Sequence, residues 1–262
     1  MKSFLFVLFL TFSNFSLLAN IVVLNGLSHH HKMIPGETYT GQIIIQNTKE
    51  SEQMVSLYLR DYLFYKSGEI KYDEPGNMAR SNTHWIKLSP ANAILSPLEK
   101  KVISYEIKVP EQLSLDGTFW SVVMLESKRP VGDNAYQTGL QINTQVRYAV
   151  QLITNVGTKH SGKGLEISDV RLTKIKRAPA ISVDVANAGA WLLTPHITIE
   201  LFDNQGNSVG VFRTSKRKTF PQTSLRFLLN LEGTSPGSYK ALLLADCGEE
   251  NVYGMNLNIT LE

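Results

Sequence analysis

The stretch Gly139 to Gly157 reads GLQINTQVRYAVQLITNVG, and from Leu140 to Leu152 every second side chain is apolar or nearly so. Leu140, Ile142, Thr144, Val146, Tyr148, Val150 and Leu152 fall on one face, and Gln141, Asn143, Gln145, Arg147, Ala149 and Gln151 on the other. This is the period-two pattern of a half-buried strand. At about 3.4 Å per residue it would reach roughly 44 Å, more than twice the usual ~17–20 Å. Such a strand either crosses two sheets or has length to spare.

The segments before it read the same way. TYTGQIIIQNT (38–48), QMVSLYLRDYLF (53–64), KVISYEIKVP (101–110) and TFWSVVMLES (118–127) are rich in β-branched and aromatic residues. Between them lie IPGE, YKSGE, DEPGN and LSPLEK, which supply the glycines and prolines that turns demand. Short strands punctuated by turns predict a β-sandwich over 20–153. TNVGTKHSGKG (154–164) is small, polar and glycine-rich, and reads as a linker. A second set of strands follows over 165–262: LEISDVRLTKI, APAISVDVANAG, HITIELFDNQGNSVG, TSLRFLLNL, GSYKALLLADCG and VYGMNLNITLE. NQGN between ELFD and VGVF marks a hairpin. The expected architecture is all-β, two sandwiches in tandem, with no residue-level repeat relating them.

Residues 1–19, MKSFLFVLFLTFSNFSLLA, carry one lysine, an apolar run and a closing alanine, the layout of a cleaved secretory signal peptide. Ser13, Asn14 and Ser16 interrupt the run. No later segment has the ~18 uninterrupted apolar residues of a spanning helix, so no stable membrane insertion is expected. With 262 residues and 43% apolar composition, two ordinary domains can each bury a core. A net charge of +3 is too small to point to nucleic acid. The single cysteine, Cys247, has no intrachain partner and reads as a small packed hydrophobe rather than a catalytic thiol.

Little in the chain suggests catalysis. There is no G-x-S-x-G elbow, phosphate-binding glycine loop or nucleotide fingerprint. The carboxylate pairs Asp73–Glu74 and Glu249–Glu250 sit in turn-like contexts. His29, His30 and His31 tempt a metal reading, joined by His84 or His160, but neighbours on a strand point to opposite faces. No metal-ligand spacing is present, and a solvated loop is the expectation. The basic clusters TKIKR (173–177) and TSKRKTF (214–220) lack interleaved aromatics and read as solvated turns. Arg147 stands alone among neutral neighbours. It is either a snorkelling surface arginine or a fixed cation that donates two parallel hydrogen bonds to a carboxylate.

Taken together, LQINTQVRYAVQL (140–152), TFWSVVMLESKRP (118–130), FPQTSLRFLLNL (220–231) and SPGSYKALLLADCGEENVYGMNL (235–257) resemble strands of the PapD-like periplasmic chaperones of pilus and fimbria assembly. The resemblance implies two immunoglobulin-like domains, no enzyme activity, no cofactor and a periplasmic location. It further implies donor-strand complementation, in which the chaperone lends an edge strand to an exported β-rich subunit that lacks one. An outer-membrane assembly pore is the implied second partner. Residue by residue, Leu140, Ile142, Thr144 and Val146 would form the lent strand, and Arg147 with Lys32 would anchor the subunit's terminal carboxylate. The family's early-strand arginine is absent from IVVLNGLSHHHKMIPGETY. A weaker likeness, carried by PGETYTGQIIIQNT (35–48) and by residues 101–126, is to the WxL-interacting surface proteins. It implies instead an exported structural or adhesive protein at the cell surface.

Overall fold

The computed structural model describes residues 20–128, 146–158, 164–248 and 251–262. The expected signal peptide, the segment holding Leu140, Ile142 and Thr144, and residues 159–163 of the expected linker lie outside the described residues.

The first half forms β1 (Ile21–Val23), β2 (Ser28–Met33), β3 (Thr38–Asn47), β4 (Gln53–Phe64), β5 (Ile70–Asp73), β6 (Ile86–Ser89), β7 (Asn92–Leu95), β8 (Lys100–Lys108), β9 (Gly117–Lys128) and β10 (Arg147–Val156). One sheet runs β1-β3-β8-β6 and the other β2-β10-β9-β4-β5, with β7 also paired to β4. Ile43, Ile45, Ile103 and Ile107 from the first sheet meet Val55, Leu57, Val123, Leu125, Val150 and Leu152 from the second. These inward-facing rows are the alternating residues of each strand, so burial follows from the pattern that defines the strands. In β9 both faces are covered from Gly117 to Leu125, as its near-continuous apolar run requires of a central strand.

The second half forms β11 (Leu165–Ile175), β12 (Ala178–Asn187), β13 (His196–Phe202), β14 (Ser208–Arg213), β15 (Ser224–Asn230), β16 (Gly237–Asp246) and β17 (Val252–Leu261). Its sheets run β11-β12-β15 and β14-β13-β16-β17. The hairpin expected at NQGN joins β13 to β14. Asp203 Oδ1 there accepts from the N–H groups of Gln205 (2.9 Å) and Asn207 (2.8 Å), and Gly206 supplies the left-handed φ of 86°. The fold is thus the expected pair of immunoglobulin-like sandwiches.

Three local expectations change. SHHHKM is a strand, not a solvated loop: His29 and His31 turn inward, and buried imidazoles replace the apolar alternation that would have marked it. Residues 70–95 hold the short strands β5, β6 and β7, which are too brief to show a period. Thr154, Asn155 and Val156, expected in the linker, continue β10 and pair with Phe119, Thr118 and Gly117 on one side and with His31, Lys32 and Met33 on the other.

The two halves share packing. Phe64, Trp120 and Ile153 of the first belong to the core of the second. Trp120 stacks on Phe220 with centroids 4.7 Å apart and planes at 18°, while its indole N–H donates to the Tyr62 carbonyl at 2.7 Å. Asp184 of β12, 1% exposed, takes Arg226 of β15 at 2.7 and 2.9 Å and Lys66 from the β4–β5 turn at 3.3 Å. The Arg226 hydrogen bonds, followed by Lys66, hold its carboxyl below the ordinary range.

Candidate functional site

β10 is enclosed over only part of its length. From Gln151 to Val156 it pairs antiparallel with β9 and parallel with β2. β2 begins at Ser28 opposite Gln151, and the Gln151 N–H donates to the Leu27 carbonyl at 2.9 Å. From Arg147 to Val150, β9 remains on one side, and among the described residues no strand lies on the other. Backbone groups alternate along a strand. Since Gln151 points toward β2, Ala149 and Arg147 present their N–H and C=O groups to the open flank.

The side chains grade in the same direction. Val150, Leu152 and Val156 are fully buried, Tyr148 is half-buried, and Val146 is 38% exposed. The apolar row therefore leaves the core while the sheet partner on one side is missing. Leu140, Ile142 and Thr144, the remaining expected members of the lent strand, lie outside the described residues.

Arg147 and Lys32 do not converge. Arg147 Nε and Nη2 contact Glu126 Oε1 at 3.0 and 2.8 Å, its direct cross-strand partner on β9. Glu126 also accepts from the Tyr58 hydroxyl at 3.2 Å, and burial with the adjacent carboxylate raises that phenol. Lys32 sits opposite Asn155, roughly 26 Å along the strand from Arg147 at ~3.3 Å per residue. One carboxylate cannot reach both.

A different cation stands where the open flank ends. Lys218, from the segment between β14 and β15, reaches across the junction and donates through Nζ to Ser28 Oγ and to Gln151 Oε1, the latter at 3.2 Å. Ser28 Oγ also lies 3.2 Å from both Gln151 Oε1 and His30 Nε2. Burial lowers the Lys218 ammonium, and burial followed by Lys218 lowers His30. Among the described residues no carboxylate pairs with Lys218, so a partly desolvated charge is held by neutral acceptors. TSKRKTF gave no sign of this, because the domain junction, not the local pattern, turns one of its three basic side chains inward.

The described residues contain no group of three or more His, Cys, Asp or Glu side chains able to hold a metal ion, and no helix long and apolar enough to cross a membrane. His29 and His31 face inward while His30 faces the junction, which divides the triplet as alternation demands.

No family model matches the chain, and no curated protein matches it. Solved structures do resemble it. The class 5 fimbriae chaperone CfaA is 12% identical, with a TM-score of 0.48, over 92% of this chain and 100% of that one. The CupB2 chaperone of Pseudomonas aeruginosa is 13% identical, with a TM-score of 0.42, over 90% and 100%. A chain of the CsuC–CsuE chaperone–tip adhesion subunit pre-assembly complex of Acinetobacter baumannii is 14% identical, with a TM-score of 0.41, over 80% and 90%. These structures are pilus and fimbrial chaperones, the class that residues 118–130, 140–152, 220–231 and 235–257 resemble in sequence. At these identities it concerns architecture, and function rests on the geometry of β10 and its surroundings.

Proposed function

We propose that this protein is a periplasmic, non-enzymatic assembly chaperone that lends the open flank of β10 to exported, β-rich pilus-type subunits. The observation that carries the reading is the one-sided pairing of Arg147–Val150 beside an apolar row that emerges from the core at Tyr148 and Val146. An incoming strand would take the Arg147 and Ala149 backbone groups, which otherwise form an aggregation-prone edge. Val146, continued by Leu140, Ile142 and Thr144, would fill the subunit's unfinished core. No cofactor enters, and an outer-membrane assembly pore would receive the subunit.

Lys218 supplies the direction. A strand seated on the open flank lies in line with β2 and ends against Ser28. If it runs parallel to β10, as β2 does, its C-terminal carboxylate meets Lys218 and gains a charge-assisted hydrogen bond. An antiparallel strand would bring its ammonium there, against like charge. The anchor role expected for Arg147 and Lys32 therefore passes to Lys218, which accounts for a half-buried cation with only neutral partners among the described residues.

The test is a photo-crosslinker at Val146 in the native host, with mass spectrometry of the adducts. A specific exported subunit joined through a strand near its C-terminus is expected, and Ile142→Arg should abolish the adduct while leaving the chain folded. Lys218→Gln should weaken binding of that subunit's C-terminal peptide by about 10–100-fold, the worth of a charged hydrogen bond. Arg147→Ala should change it little. No adduct, with position 146 shielded from solvent labelling, would instead favour a structural or adhesive surface protein.

A further inference from the structure

β2 decides where the open flank of β10 ends, and it carries three consecutive histidines. His29 and His31 both engage Tyr105 of β8: His29 Nδ1 and His31 Nε2 each lie 3.0 Å from Oη. Hydrogen positions here follow from the bonding network. His29 Nε2 lies 3.3 Å from the Gly26 carbonyl, which can only accept, so neutral His29 carries its proton on Nε2 and its Nδ1 is bare. The Tyr105 hydroxyl therefore donates to His29 Nδ1. Its oxygen is then left to accept, and His31 Nε2–H donates to it. Each proton has one place, and the chain runs in one direction.

An added proton disrupts this order. On His29 Nδ1 it opposes the phenol hydrogen, which must then turn to His31, whose Nε2 must first give up its own proton. With both imidazoles charged, the phenol hydrogen has no acceptor and two cations share one oxygen. Among the described residues no carboxylate pairs with either imidazole. β3 contributes Tyr39, its ring centroid 4.3 Å from that of His31. β8 contributes Tyr105, whose phenol burial raises. β10 places Leu152 and Thr154 opposite His29 and His31. On the outward face of β2 stand His30, Lys32 and the Lys218 ammonium. Burial first, then His29 and His30, hold His31 down to about 4 from an ordinary 6.5.

We propose that the His31–Tyr105–His29 proton chain makes β2 an acid-released strap: neutral, it clamps β2 along Gln151–Val156; protonated, it lets β2 leave and lengthens the open flank of β10. Docking favours neutral His31, so the clamp is complete above 6.5 and weakens as pH falls toward about 4. Between those values each pH unit shifts the balance about tenfold, which makes β2 opening roughly thirtyfold more frequent at pH 5 than at pH 8. Any effect on subunit capture rests on the strand-lending reading; release of β2 does not.

The experiment is hydrogen exchange with mass spectrometry on the mature chain, without any partner, at pH 8 and pH 5, with rates corrected for intrinsic exchange. Peptides covering Ser28–Met33 should lose about thirtyfold protection at pH 5 relative to those covering β13 and β16. His31→Gln should remove most of that difference. Tyr105→Phe, which keeps the ring and deletes the shared oxygen, should lower protection already at pH 8 and flatten the response. Equal protection of β2 at both pH values, or the same loss in His31→Gln as in the parent, overturns the proposal. Because no subunit takes part, failure of the crosslinking test would leave this result standing, and the reverse also holds.

Discussion

At Gly41 a methyl group would stand 2.3 Å from Cζ of Tyr105, its cross-strand partner on β8. The ring lies over the glycine, and that placement brings the hydroxyl to both inward histidines of β2. Gly41→Ala should therefore destabilise the first domain by about 1–3 kcal/mol, the range for overfilling a packed core. Denaturant melts would read the loss, and the ring NMR signals of the two histidines should move as the Tyr105 ring is displaced. The glycine inside the strand was visible in TYTGQIIIQNT; what it makes room for was not, because its neighbour lies 64 residues on and only register brings the two together. The same holds for Arg147. Its isolation in an alternating strand was plain, but Glu126, which holds it, becomes its neighbour only when β9 and β10 pair. Lys218 was less legible still, since its neighbours Ser28 and Gln151 belong to the other domain.

Elements with a strong period were read nearly to the residue. QMVSLYLRDYLF is β4 and LEISDVRLTKI is β11, with bounds as expected. β2 escaped because polar rings fill its inward positions, and β5 to β7 because four residues cannot display a repeat. Burial of a charge can also hide in a good strand: in APAISVDVANAG, Asp184 alternates with the apolar Val183 and Val185, yet both faces of the strand are covered there. Asp184 there joins β12 to β15 through Arg226, to β11 through Arg171 at 3.4 Å, and to the β4–β5 turn through Lys66. Its depressed carboxyl stabilises the fold fully above the ordinary value of 3.8, and this contribution fades as pH falls through the lower folded value. Asp184→Asn should cost about 2 kcal/mol at pH 7, less than the ~3–5 kcal/mol of a fully buried broken pair because the three cations retain solvent access. Urea melts of the two proteins should converge in strong acid.

For the molecule as a whole, composition and strand spacing were enough to expect two sandwiches, but the packing between them was out of reach. It includes Trp120, Phe64 and Tyr62 meeting Phe220, four aromatics drawn from three separate stretches of chain. Phe220→Ala should remove about 3–5 kcal/mol of packing. Calorimetry should then resolve two domain transitions where the parent shows a more closely coupled pair. Lys218 lies two residues before Phe220, so the same substitution should also loosen its contacts with Ser28 and Gln151.

The abrupt end of the open flank at Ser28 has one more consequence. On the strand-lending reading proposed above, a guest seated along β10 and stopped by Lys218 would be measured from its own terminus, so the open flank would work as a ruler with its zero mark at the domain junction. Which guest side chains enter which positions would then be fixed by counting backward from the last residue. A guest lengthened by one residue would present the wrong face throughout, whereas one lengthened by two would keep its faces and shift every side chain by one notch.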